Sequence, residues 1–146
     1  MSEQEEFYGE EDLQEVLNQL REVDSVLEAC VLQPGGATVK TDGIKSVDPA
    51  QFLRYINETN LRDHLEINGE TYVYLNVKET DGSDSNKVWC YMSKNPLTMG
   101  SVQDSKLGLA VMYHELGFFV VAICPQTALT LIVDDMYVKC VKEMAE

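Results

Sequence analysis

The sequence lacks the long apolar runs and the leader signal that would direct it into or across a membrane. No apolar run approaches the roughly 18 residues that a membrane-spanning helix requires. The N-terminus is acidic where a signal peptide would carry a basic region. We therefore expect a cytoplasmic protein. Its 146 residues, 45% of them hydrophobic, are enough for one domain with a sizeable core.

Basic residues are scarce. The chain has 11 lysines and arginines against 25 aspartates and glutamates, which gives a formal net charge of −14. Nucleic-acid phosphates and anionic membranes attract basic surfaces, so we expect no nucleic-acid partner and weak or no membrane binding. The acidity is concentrated near the start of the chain. Residues 1–11 are predicted to be a flexible acidic arm, and residues 12–146 a single domain.

The sequence has no Cys-x-x-Cys pair, and its four cysteines are widely spaced within apolar runs. This pattern does not favour a zinc site or redox chemistry, and it is typical of buried free thiols in a reducing compartment. The four are Cys30, Cys90, Cys124 and Cys140.

Constellations that carry catalysis are also missing. The only two histidines are His64 and His114, and no nucleophile elbow or pair of metal ligands accompanies them. Gly35 to Lys40 resembles a phosphate-binding loop only superficially, because the spacing between its glycines and lysine is wrong. We expect a protein that is not an enzyme and that holds no cofactor or metal.

The last forty residues show the clearest structural pattern. Two apolar runs, 107–113 and 118–124, are separated by a short Gly-containing turn and predict a β-hairpin that is buried on both faces. A helix should follow, with Thr127 as its N-cap. Its apolar residues recur every three or four positions, as expected for a stripe packed on a sheet: Leu129, Ile132, Val133, Met136, Cys140 and Met144.

The rest of the chain predicts an α+β domain. A first helix from Asp12 to about Glu22 precedes a hairpin over 27–41 and a short helix over 49–57. The Asn68-Gly69 pair predicts a second hairpin, a strand follows at 87–93, and residues 94–105 read as a long loop. We expect a central antiparallel sheet of about six strands. The first and last helices should share one face, helix 49–57 should cover the other, and Trp89 should be buried.

The order of these elements, together with four short motifs, resembles the profilin family. The motifs are a Pro-Ala signature at 47–51, the Ile67-Asn68-Gly69 strand end, a strand ending in Lys78, and a closing helix with Lys139-Cys140 followed by Glu143-Met144-Ala145. The resemblance extends from about Asp12 to the end of the chain. The acidic composition and the charged arm are most similar to the divergent archaeal, Asgard-type profilins.

The resemblance implies binding to monomeric actin and regulation of filament assembly in the cytoskeleton. It places the actin-binding face on the last helix and the adjoining strands. The residues at matching positions are Ile67, Lys78, Tyr137, Val138, Val141 and Lys142. Three of these, at 137, 138 and 141, lie off the apolar stripe of the last helix and would be exposed, where an aromatic beside a lysine is typical of binding hot spots.

Profilins also bind proline-rich peptides in an aromatic groove, and here the pattern departs from the family. The first helix has no aromatic residue, and the second strand offers Thr38. The aromatic residues left to contact such a peptide are Phe7 and Tyr8 on the arm, with Tyr137 on the last helix. We therefore expect proline-rich segments to bind weakly and through the arm.

The roadblock/longin class of small-GTPase scaffolds is the alternative resemblance. It has a similar order of elements, and residues 30–36 fit its glycine turn. Those domains form dimers through a helix and an edge strand. The charged arm and the acidic loop 81–86 favour a monomer here, because like charges repel each other.

Overall fold

The computed structural model describes residues 10–33, 38–52, 64–79, 87–114 and 118–137. Two α-helices lie within these ranges, α1 (Glu10–Arg21) and α2 (Leu129–Tyr137), and 3₁₀ helices span Pro49–Phe52 and Gln126–Ala128. None of these helices is long and apolar enough to cross a membrane. The described strands are β1 (Glu28–Leu32), β2 (Thr38–Lys40), β3 (Leu65–Ile67), β4 (Glu70–Glu79), β5 (Lys87–Ser93), β6 (Leu97–Met99), β7 (Val102–Ser105), β8 (Leu107–His114) and β9 (Phe118–Pro125).

Seven of these strands form one antiparallel sheet in the order β2-β1-β9-β8-β5-β4-β3. The three predicted hairpins are confirmed as β1–β2, β3–β4 and β8–β9. The expectation of about six strands was low by one, and the loop predicted over 94–105 is wrong. Strands β6 and β7 pair there as a separate two-stranded sheet, and Leu97, Met99 and Val102 pack half-buried against the core.

The sheet separates two apolar layers. Both helices pack on one face, as predicted, and the 3₁₀ helix Pro49–Phe52 lies on the other face, where Phe52 is fully buried. Only the first four residues of the predicted helix 49–57 are described. The helical layer contains Leu13, Val16, Leu17, Leu20, Leu129, Ile132, Val133 and Met136. The opposite layer contains Phe52, Ile67, Tyr72, Trp89, Tyr91 and Phe119, and the predicted burial of Trp89 is confirmed at 6% exposure.

Both helices begin differently from the prediction. Helix α1 starts at Glu10, so Glu10 and Glu11 belong to the helix and not to the arm. Residues 1–9 of the predicted arm lie outside the described residues. Thr127 is not an N-cap, because it lies inside the 3₁₀ turn Gln126–Ala128 that leads directly into α2. Pro125 precedes that turn without any side-chain capping bond.

The turn between β3 and β4 is tied to the segment that precedes the 3₁₀ helix. Asn68 and Gly69 have positive φ angles of 58° and 76°, which is the conformation that a two-residue hairpin turn requires. The Asn68 side chain accepts hydrogen bonds from the backbone N–H groups of Lys45 (2.6 Å) and Ser46 (3.0 Å). It donates a third to the Gly43 carbonyl at 2.8 Å. The turn residue therefore also fixes the path of residues 43–46.

The outer edge of β3 is closed by a side chain. The amide of Gln51 donates to the Glu66 carbonyl at 2.9 Å and accepts from the Glu66 N–H at 3.0 Å. A single bridge between Val47 and Ile67 extends this covering. The backbone groups that an edge strand would leave open are thus satisfied at β3.

Candidate functional site

Helix α2 is held against β8 and β9 by its apolar stripe. Leu129, Ile132, Val133 and Met136 are all buried, which confirms the described part of the predicted stripe. The helix begins close to the sheet because β8 has a glycine beneath it. A Cβ at Gly108 would lie 3.2 Å from Leu129 Cδ1 and 3.3 Å from Cys124 Sγ. The outer side of α2 carries Asp134 and Asp135, both exposed, and Leu131, which is 68% exposed.

The sheet continues beyond α2 through β5 to β4. Residues directly opposite each other in neighbouring strands point to the same face. Lys78 lies opposite Val88, and Asn76 lies opposite Cys90. Since Val88 and Cys90 belong to the helical layer, Lys78 and Asn76 point to the face that carries α2. This face of the sheet therefore carries α2 together with half-buried Lys78 and exposed Asn76.

Of the residues assigned to this face by resemblance, only Lys78 is described as partly accessible. Tyr137 is the last residue of α2, and its side chain is not described. Val138, Val141 and Lys142 lie outside the described residues. Lys78 and the end of α2 thus lie on the same face of the sheet, and no contact between them is seen within the described residues.

Ile67 corrects the assignment. Its side chain is 1% exposed and packs in the layer opposite the helices, with Phe52 and Tyr72. A partner could reach it only after the core had opened. Ile67 therefore stabilises the β3–β4 hairpin in this conformation, and its side chain does not form part of a surface.

Among the residues that the structure describes, four large apolar side chains are exposed that the sequence analysis did not assign to a surface. Val73, Leu75 and Val77 on β4 are 44%, 39% and 38% exposed, and Leu131 is on α2. The signal for the β4 residues was present in the sequence, because the apolar run 72–75 includes residues of both faces of the strand. A strand with apolar residues on both faces should be covered on both, and this one is not.

The first helix offers no apolar surface for a proline-rich peptide. Leu13, Val16, Leu17 and Leu20 are at most 3% exposed, so the whole apolar stripe is used in packing. Thr38 on β2 is half-buried. Phe7 and Tyr8 lie outside the described residues.

The described cysteines are free and buried, as predicted. Burial raises the pKa of Cys30 to about 12, that of Cys90 to about 11 and that of Cys124 to about 12. These thiols therefore stay protonated at neutral pH, and protonated thiols are poor nucleophiles. Among the described residues, no group of three or more His, Cys, Asp or Glu side chains could hold a metal ion. Cys140 lies outside the described residues.

Comparison with known proteins identifies the fold. No family profile and no curated protein matches the chain. The chain is similar in structure to a protein solved in the crystal structure of a LokiProfilin1/rabbit actin complex, with a TM-score of 0.52 and 11% sequence identity. The similarity covers 89% of this chain and 95% of the other. The chain thus has a profilin-like fold, with a larger number of strands than its sequence predicted.

Proposed function

We propose that this protein binds monomeric actin and regulates the assembly of actin filaments, acting by binding and not by catalysis. One observation carries the proposal: the fold matches, over nearly its whole length, that of a protein solved in a LokiProfilin1/rabbit actin complex. In this proposal the protein is a monomer, lies in the cytoplasm and associates with the cytoskeleton.

The proposed actin-binding face is the outer side of α2 with the adjoining part of β5 and β4. Lys78 and Asn76 point to this side of the sheet, and Leu131 supplies an exposed apolar group on the helix. Apolar groups with a nearby lysine can be desolvated together at an interface, where such residues contribute most of the binding energy. By resemblance, the proposal also assigns actin binding to Tyr137, Val138, Val141 and Lys142.

Assembly of pyrene-labelled actin tests the proposal. The full chain should slow spontaneous nucleation, because actin monomers held by the protein do not enter new filaments. Lys78→Glu should weaken actin binding about tenfold, which corresponds to ~1.4 kcal/mol. Lys40→Glu is the matched control. It changes the net charge equally, but Lys40 is exposed on β2, at the opposite edge of the sheet.

The outcomes separate the function from the face. A full chain that leaves nucleation unchanged at saturating concentration would rule out actin binding. Inhibition that responds equally to Lys78→Glu and Lys40→Glu would show that net charge matters and position does not. Val141→Glu, with an intact fold by circular dichroism, should also reduce inhibition. Unchanged inhibition in both Val141→Glu and Lys78→Glu would place the binding face elsewhere.

A further inference from the structure

The turn between β3 and β4 consists of a dipeptide whose side chain can be attacked by its own backbone. In Asn68-Gly69, the backbone nitrogen of Gly69 is the nucleophile, and the side-chain carbonyl carbon (Cγ) of Asn68 is its target. Gly69 has no Cβ that would shield this nitrogen. The residue is exposed, and no atom lies within 4 Å of the position that a Cβ would occupy. Water therefore reaches the turn.

The reaction open to this dipeptide is deamidation, which needs only water. A bond forms between the Gly69 nitrogen and Asn68 Cγ, the bond from Cγ to Nδ2 breaks, and Nδ2 leaves as ammonia with the Gly69 amide proton. Water then opens the resulting cyclic imide. Opening at Cγ gives aspartate, whereas opening at the main-chain carbonyl gives isoaspartate, in which the chain continues through the side chain.

The folded turn holds the two reacting atoms apart. Asn68 and Gly69 have φ angles of 58° and 76°, so Asn68 lies in the left-handed helical region of a tight hairpin turn. With ψ of about +47° in that region, the next backbone nitrogen lies across the Cα–C bond from the side chain. Imide closure requires this nitrogen and Cβ on the same side of the bond. The ring can therefore close only after Asn68 has left its folded conformation.

Hydrogen bonds to the segment 43–46 hold Asn68 in that conformation. Its Oδ1 accepts from the backbone N–H groups of Lys45 at 2.6 Å and Ser46 at 3.0 Å. Its Nδ2 donates to the Gly43 carbonyl at 2.8 Å, and its backbone N–H donates to the Ser46 carbonyl at 2.8 Å. The turn and the segment 43–46 must therefore separate before Asn68 can rotate.

The segment 43–46 is well suited to local opening. It forms neither a strand nor a helix, and Lys45 and Ser46 are exposed. Its buried side chain is Ile44, which is 1% exposed and packs in the layer opposite the helices. Segments with exposed hydrogen bonds and few buried groups open at a lower free energy than the whole protein. The turn can thus become reactive while the central strands stay folded.

We propose that Asn68 is a modification site gated by the fold, which deamidates when the turn separates from the segment 43–46 and stays intact while they are joined. Both products weaken the contact. Aspartate has no Nδ2 to donate to the Gly43 carbonyl. Isoaspartate adds a main-chain carbon to a turn whose register pairs Ile67 with Glu70, and so makes the opening lasting. This inference goes beyond actin binding, and its test contains no actin.

Incubation of the full chain at mildly alkaline pH, followed by proteolysis and mass spectrometry, measures the conversion rate at Asn68. In native buffer the rate should be lower by about tenfold or more than in urea above the unfolding midpoint. Equal rates in both conditions would overturn the proposal. In the isoaspartate product, purified by chromatography, the amides of Lys45 and Ser46 should exchange with solvent faster than in the unmodified protein. Unchanged exchange would also overturn it.

A pair of isoleucine variants separates local from global opening. Ile44→Ala should speed conversion in native buffer by about fivefold or more, because it removes the buried side chain of the segment 43–46. Ile132→Ala is the matched control, since Ile132 is 0% exposed but lies on α2, in the other layer. It should leave the rate nearly unchanged. If either variant does not fold, Ile44→Val and Ile132→Val replace the pair. Equal acceleration at both positions would assign the reaction to global unfolding and overturn the gate.

Discussion

Asn68 performs two separate tasks, and two substitutions can separate them. Its positive φ of 58° allows the tight turn, and its side chain forms three hydrogen bonds to residues 43, 45 and 46. Asn68→Gly keeps the backbone conformation accessible and removes the hydrogen bonds. Asn68→Ala removes the bonds and adds the cost of holding an alanine in the left-handed region.

The expected losses follow from these contacts. A net hydrogen bond contributes about 0.5–1.5 kcal/mol, and the two bonds from Lys45 and Ser46 lie in an exposed setting, so the lower half of that range applies. Asn68→Gly should therefore lower the free energy of unfolding by about 2 kcal/mol. The left-handed backbone adds roughly 1 kcal/mol more for Asn68→Ala. For a chain of this length, these losses correspond to decreases in Tm of about 6 and 9 °C.

Urea unfolding followed by circular dichroism measures both losses. Asp104→Gly is the control, because Asp104 also has a positive φ (51°) and is exposed on β7. That change should shift stability by less than about 1 kcal/mol. In hydrogen exchange, the amides of Lys45 and Ser46 should lose protection in Asn68→Gly. Stability equal to the unmodified chain, with protection retained at both amides, would refute the assigned role of the side chain.

Three further predictions concern Trp89, Tyr91 and Gly43. Native Trp89 should emit at a shorter wavelength than free indole and resist iodide quenching, because it is 6% exposed; quenching like that of free indole would contradict its burial. Tyr91→Phe should raise the free energy of unfolding by about 1 kcal/mol, because the buried Tyr91 hydroxyl has no hydrogen-bond partner among the described residues; a loss of stability would indicate an unseen partner. Gly43→Ala should lower the free energy of unfolding by about 2 kcal/mol. The new methyl group would displace the Glu28 carboxylate, which accepts hydrogen bonds from the Thr41 hydroxyl and the Gly43 N–H. Thr41→Val should lower the free energy of unfolding by a similar amount, and the double variant should lose less than the sum of the two single losses.

The sequence predicted those elements whose local signals agree with their packing. The Asn68-Gly69 turn, the apolar run of β9 that ends at Pro125, and the stripe of α2 each carry a local signal that agrees with the structure. The hairpin β6–β7 carries no such signal, because its strands are only three and four residues long and a turn that contains Gly100 separates them. Burial of Leu97, Met99 and Val102 against the core decides its structure, and burial is a tertiary effect.

The error at Ile67 has a different origin. Leu65 and Ile67 are two positions apart on β3, so they share one face of the strand, and Glu66 between them is exposed. The alternation alone placed Ile67 in the core. Ile67 was nevertheless assigned to the actin-binding face, because it lies at a matching position in the profilin resemblance. The bulge in β4 could not be predicted either, because no residue type in 74–76 requires it.

The last prediction concerns the binding of proline-rich peptides. Every apolar residue of the α1 stripe is buried, and the aromatic residues that the profilin resemblance leaves for a proline-rich peptide are Phe7, Tyr8 and Tyr137. The arm is predicted to be flexible, and ordering it on binding would cost roughly 1 kcal/mol or more for each residue, so we expect a ten-proline peptide to bind weakly. Deletion of residues 1–9 tests the role of the arm and leaves α1 intact, because the helix begins at Glu10. In NMR titrations, the full chain should show shifts that the deletion variant lacks. Equal shifts in both proteins would exclude the arm, and no shifts in either would exclude the site.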